Sequence, residues 1–270
     1  MQGIVERLKV PFAFWAVFVV IRLAAGDWGD VRLGPDDLTR LAQIDALLDG
    51  QGWWDLTLHR LGVDGVAMHW TRHIDALFLL FGGGIDALRP ITLVVVPLLL
   101  ALGLFVAVGL IAESVGGKEA VLASLLLLLA SVLTAVQFSP GRIDHHGLQI
   151  VLVLVAIVGL VRLADRKWAL VGGLALGVSL SIGLEQALVA AGIMLGVAMV
   201  VLGPGVPKAS TDRFALGLVG GALAGSLAFA PPSRLVQIAC DVFSFQHVLV
   251  IVGAAIGLLL VSRTARPALG

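Results

Sequence analysis

The chain has 270 residues, 59% of them hydrophobic and 13% charged, with 18 basic and 18 acidic side chains and no formal net charge. Mean hydropathy is +1.03, far above that of soluble domains, which are roughly 45–50% apolar; the fold class this implies is an all-α polytopic membrane protein. Neutrality gives no reason to expect nucleic acid as a partner, and the single cysteine, Cys240, rules out an internal disulfide framework or a zinc thiolate cluster.

The first apolar run, near 10–25, lacks a convincing small-residue cleavage site and reads as a span, not a cleaved signal. Crossing a bilayer takes about 20 apolar residues. On that measure the other spans fall near 90–112, 120–138, 147–163, 168–185, 187–203, 214–230 and 246–262. About eight transmembrane helices therefore form one transmembrane domain over 1–270. The stretch "IDALFLLFGGGIDAL" is too short and glycine-broken to span, and reads as interfacial or re-entrant. The small residues of "GLVGGALAG" suit close helix packing.

Charge sets the orientation. With the N-terminus in the cytoplasm, the inner segments hold Arg7, Lys9, Lys118, Arg162, Arg166, Lys167, Lys208, Arg213, Arg263 and Arg266. The short outer connections hold only Arg22, Arg142 and Arg234. The expected location is the inner (plasma) membrane, with any site on the extracytoplasmic face.

Three acidic features then share the outer side. The first lies in the long loop 26–89. After Gly34-Pro35 come Asp36-Asp37, then Leu38, Leu41, Ile44, Leu47 and Leu48 at the spacing of an amphipathic helix. Gly50 and Gly52 end it, and Trp53-Trp54 suit the water–lipid boundary. Asp36 and Asp37 are candidate catalytic acids; helix capping accounts for one of them. Further along, "MHWTRHID" offers Arg72 as a phosphate-holding group, and His69 and His73, which share a face if the segment is helical, as a pair that could bind metal. The second feature is "GRIDHH", in which Arg142, Asp144, His145 and His146 stand at the mouth of an apolar run. Asp144 has the same capping alternative. Gly147 follows the histidines, so the Asp-His-His-Cys quartet of a palmitoyltransferase is absent. The third is Glu185 in "SIGLEQ"; a carboxylate near membrane depth is a functional candidate by default, unless it lies in a wet turn.

This order of acids resembles the GT-C class of membrane glycosyltransferases, and more closely the N-terminal transmembrane part of the oligosaccharyltransferase catalytic subunit and its bacterial relatives. In that family one essential acid lies in the long first outer loop, which carries interfacial helices, and an acidic motif precedes the fourth span. Asp36 or Asp37 is similar in place to the first, and Asp144 within "SPGRIDHH" to the second. His146 stands where the family has its second acid. The resemblance implies transfer of a sugar from a polyprenyl-phosphate-linked donor to an acceptor, assisted by Mn²⁺ or Mg²⁺ held by Asp36, Asp144, His145, His146 and Glu185. It also implies that His69 joins Arg72 in holding lipid phosphate, and that the family's C-terminal part is missing from this chain. A transporter or flippase, with Glu185 and the histidines as a relay, is the alternative from another class; an inactive truncated scaffold is a third reading.

Overall fold

The computed structural model describes residues 2–26, 33–203 and 206–264; Arg266 lies outside them. Among the described residues every secondary-structure element is a helix apart from one two-residue ladder, with turns and irregular segments between them. The chain forms two compact units, one built from residues 1–53 and 72–151, the other from 54–71 and 152–270.

In the first unit, α1 (Gln2–Ala25) packs on α4 (Arg89–Ala130). Phe18 and Phe105 meet with ring centroids 5.6 Å apart, and Trp15 Nε1 donates to the Leu98 carbonyl at 2.7 Å. The outer-loop helix is α2 (Pro35–Leu48), ended by Gly50 at φ 103°. Its burial departs from what its apolar spacing suggests. Asp37, Arg40, Gln43 and Ile44 face inward, while Leu38 and Leu48 are exposed. A short α3 (His73–Leu80) follows and packs on α4. Because α3 starts at His73, His69 precedes the helix, and the two histidines do not form a helical i, i+4 pair.

At 42 residues, α4 would be about 63 Å long at 1.5 Å per residue, twice the ~30 Å hydrocarbon thickness. Gly117 breaks it, with φ 71° and ψ −165°, a conformation that favours glycine. Short α5 (Val132–Gln137) and α6 (His145–Val161) follow.

The second unit holds the ladder β1 (Thr57–Leu58) and β2 (Val66–Ala67), antiparallel with Thr57 opposite Ala67. Its helical part comprises the end of α6, then α7 (Arg166–Ile182), α8 (Ala187–Leu202), α9 (Lys208–Phe229) and α10 (Phe245–Thr264). The closest pairing is α7 against α9. Gly173 and Gly177 on α7 meet Gly217 and Gly221 on α9, each pair four residues apart. A Cβ at Gly217 would stand 2.5 Å from the Leu170 carbonyl, and one at Gly221 would stand 2.5 Å from the Leu174 carbonyl. Small residues at this spacing let helix backbones touch, and van der Waals contact drives association where lipid removes the hydrophobic incentive.

Every apolar run read as a span is mostly helical, and the count of eight is not confirmed. Four helices are long and apolar enough to cross a membrane by length and composition: Glu6–Ala25 of α1, then α4, α9 and α10. With 17, 17 and 16 residues, α6, α7 and α8 rise only about 24–26 Å, short of the hydrocarbon thickness.

Gly177→Val should cost at least about 1–3 kcal/mol, because its side chain would be driven into the α9 backbone at Leu218 and Ala222. Gly220→Ala, where a Cβ meets nothing within 4 Å, should be neutral or stabilising. Unfolding midpoints of the two variants in detergent check this; equal midpoints would contradict the close-packed interface.

Candidate functional site

The candidate site lies within the first unit and is built on two helix starts. At α2, Gly34 is the N-cap and Pro35 sets the first turn. Asp37, three residues past the cap, turns back so that its Oδ2 accepts from the Gly34 N–H at 2.9 Å. A side chain at Gly34 would stand 2.9 Å from Arg142 Nη1, so glycine is what admits the arginine. At α6, Asp144 precedes the first helical residue, and its Oδ1 accepts from the His146 N–H at 3.0 Å. The capping reading thus holds for Asp37 and Asp144, and both acids do more besides.

Between the two starts runs the segment 138–144. Pro97 has no N–H, which leaves the Leu93 carbonyl without its helical donor. The N–H of Gly141 takes that place at 2.8 Å, from a backbone at φ 90°. This pins the segment to α4 and delivers Arg142, Ile143 and Asp144 to the end of α2. Asp37 Oδ1 accepts from the N–H groups of Ile143 (2.9 Å) and Asp144 (3.1 Å), and Arg142 Nη1 donates to Asp37 Oδ2 at 2.9 Å. Arg142 Nη2 donates to Asp144 Oδ2 in a short contact, and Gln137 Nε2 reaches Asp144 Oδ1 at 3.1 Å. One guanidinium therefore joins two carboxylates that are 0% and 1% exposed.

A second charged cluster adjoins the first beneath α2. Arg40 Nη1 and Arg72 Nη1 donate to the two oxygens of Asp75 at 3.1 and 3.0 Å. Arg72 also donates to the carbonyls of Gln43 and Trp53. All three ionic side chains are at most 1% exposed. Burial pulls the Arg40 guanidinium down from its usual range, and the Asp75 carboxylate pushes it back up. Burial raises the Asp37 carboxyl, against the pull of the Gly34 N–H, the Arg142 charge and the Ile143 N–H. His73 is driven down to about 3 by burial and by the Arg40 charge, so it is neutral.

The structure distributes the expected site residues as follows. It brings Asp37, Arg142 and Asp144 together, with His145 buried and His146 half-buried at the start of α6, their rings 4.3 Å apart. Of the two adjacent acids, Asp36 is exposed, whereas Asp37 is buried and is the one that meets Arg142. Arg72 is fully buried against Asp75, in a scaffold position. His69 and Glu185 belong to the other unit; both are exposed, Glu185 on the turn between α7 and α8. Arg40, Gln43 and Gln137 were not anticipated. The signal for Arg40 was present, since Asp37, Arg40 and Ile44 recur at helical spacing, but the segment invites reading by its leucines.

No protein-family model matches this chain, and no curated protein matches it in sequence. Its fold is similar to that of a solved structure, the crystal structure of the Archaeoglobus fulgidus oligosaccharyltransferase in the apo form. The TM-score is 0.68 at 16% sequence identity, over 94% of this chain and 33% of that one. This chain thus spans about a third of the length of that protein.

Asp37→Ala should destabilise the protein by about 3–5 kcal/mol, because it takes one of two carboxylates from the partly buried Arg142 and leaves the N–H groups of Gly34, Ile143 and Asp144 without their acceptor. Asp36→Ala, on the surface, should stay within about 0.5 kcal/mol. Thermal unfolding in detergent separates them, and equal effects would contradict the assignment. His73 should make a pH signature of its own. Its folded pKa of about 3 lies below the ordinary 6.5, so its stabilising contribution is complete above pH 6.5 and declines as pH falls from there toward 3. The unfolding midpoint should fall less steeply over that window in His73→Gln; parallel curves would contradict a buried neutral imidazole.

Proposed function

We propose that this chain is a membrane glycosyltransferase of the GT-C type, moving a sugar from a polyprenyl-phosphate-linked donor to an acceptor on the extracytoplasmic face. The observation that carries the reading is the meeting of Asp37, from the outer-loop helix, with Asp144, from the segment before α6, on one guanidinium. It occurs in a fold similar to an oligosaccharyltransferase along nearly the whole chain. Four helices long enough for a bilayer and the excess of basic residues in the inner segments support the membrane setting, with the N-terminus cytoplasmic. Two acids side by side at helix starts suit a reaction centre better than a proton relay, which would string its acids along the helices.

The chemistry follows from the groups. In transfer, the bond between the sugar's anomeric carbon and the phosphate oxygen breaks, and the phosphate leaves with the electron pair. The acceptor's nucleophilic atom bonds to that carbon and gives up a proton. Arg142 faces the growing negative charge on the leaving phosphate, which a fixed donor stabilises strongly in a dry site. Asp144 takes the acceptor proton; its one remaining acceptor direction and its place at the helix mouth fit that role. Asp37, with four donors on its two oxygens, holds Arg142 and the 142–144 backbone in register. The leucine face of α2, exposed at Leu38 and Leu48, rests against the bilayer, where the lipid tail of the donor also resides.

Transfer from a synthetic polyprenyl-phosphate sugar should be lost in Asp144→Asn, which keeps the shape and removes the base. Asp36→Asn should retain it. The check is product formation in reconstituted membranes; full activity in Asp144→Asn would overturn the proposal.

A further inference from the structure

The leaving phosphate needs a counter-charge, and for this fold a divalent ion is the expected source. The donor set of the two carboxylates does not fit one. A carboxylate offers about four lone-pair directions over its two oxygens. Asp37 has all of them occupied: Oδ1 by the N–H groups of Ile143 and Asp144, Oδ2 by Gly34 and Arg142. Asp144 has three occupied, by Gln137, His146 and Arg142. Among the described residues, no three His, Cys, Asp or Glu side chains come together in a way that could hold a metal ion.

Charge balance points the same way. The two adjoining clusters contain Arg40, Arg72 and Arg142 against Asp37, Asp75 and Asp144, three charges of each sign. His73 adds none, being neutral. A divalent ion entering this set would leave two uncompensated positive charges in a mostly buried place, where unpaired charge is costly. Arg142 also retains one buried donor without an acceptor. Both of its terminal nitrogens are engaged, but its Nε–H has no partner. The side chain is 22% exposed, and a guanidinium is shaped to take phosphate oxygens.

We infer that Arg142 is the resident cation of this site: its guanidinium, clamped between Asp37 and Asp144, takes the place of a divalent metal and offers its charge to the donor phosphate from a side chain that is 22% exposed. The inference rests on the transferase reading for the identity of that phosphate, but its claim about metal stands apart. The phosphate leaves with its electron pair as described above, and its added charge is met by a fixed organic cation. No metal, oxidant or further reactant enters the balance.

The test uses the full chain in detergent with Mn²⁺ as the probe, read by electron paramagnetic resonance, beside transfer measured in EDTA and in Mn²⁺. The wild type should show only the spectrum of free aqueous Mn²⁺ at millimolar ion, and equal transfer rates under both conditions. Arg142→Gln should lose about 100- to 1,000-fold in transfer in EDTA, the range for deleting a donor to a developing oxyanion. Arg142→Ser, which opens both carboxylates, should gain a bound Mn²⁺ signal that disappears in Arg142→Ser/Asp144→Ala. A bound Mn²⁺ signal in the wild type that Asp144→Ala removes would overturn the inference, as would wild-type transfer abolished by EDTA and restored by Mn²⁺. Should the variants fail to fold, the wild-type spectrum alone decides. Absence of transfer in every condition would count against the transferase reading, and the Mn²⁺ spectrum would still decide the cation.

Discussion

The contact on which the first unit depends is the bridge from Arg142 to Asp37 and Asp144. Three charges sit there in a place where water reaches mainly the arginine, whose side chain is 22% exposed. Bringing such groups out of water costs several kcal/mol per ion unless each is paired and its remaining lone pairs are met. That requirement explains the surroundings. Asp37 needs the Gly34 N–H, so α2 starts at Gly34-Pro35. It needs the N–H groups of Ile143 and Asp144, so the 138–144 segment must run beside α2. That segment is placed by a vacancy elsewhere, the Leu93 carbonyl that Pro97 leaves without a helical donor and Gly141 fills.

The same constraint turns α2 over. A surface helix with regular leucines normally buries them and shows its polar face to water. Here the interior beneath the helix holds Asp75 and Arg72. The low-energy arrangement puts Arg40 and Gln43 inside, where Arg40 pairs with Asp75, and leaves Leu38 and Leu48 exposed. The second unit is organised by a different force. Its α7–α9 contact has no charge, and depends on the absence of side chains at Gly173, Gly177, Gly217 and Gly221. One unit is thus specified by polar pairing and the other by steric fit.

Much of this was legible in the sequence. Apolar runs marked the helices, because a run of twenty such residues has few other stable arrangements near a bilayer. "GLVGGALAG" showed a close-packed helix face, and "GPDDL" showed a helix start. Other features were hidden for definite reasons. The number of spans depends on a few residues of length at each end, and α6, α7 and α8 fall just short while α4 joins two runs through Gly117. The choice of Asp37 over Asp36 depends on the angle at which one residue leaves a helix turn, which adjacent identical acids cannot show. Capping does not exhaust an acid at a helix mouth: Asp37 and Asp144 have two oxygens each, and both cap a helix and pair with Arg142. Arg72 looked available for a phosphate because a polar octapeptide hides which of its members are buried. The structure gives it to Asp75.

The central claim is the energetic coupling of Arg142 to Asp37, and the direct test is a double-mutant cycle on unfolding in detergent. Arg142→Gln, Asp37→Asn and the double variant are compared with the wild type, so that effects on other contacts cancel. The account predicts that the double variant is less damaged than the sum of the single ones, with a coupling of at least about 1.5 kcal/mol, the lower end for close buried charge pairs. Effects that add to within about 0.5 kcal/mol would mean that the two side chains act independently, and would contradict the account.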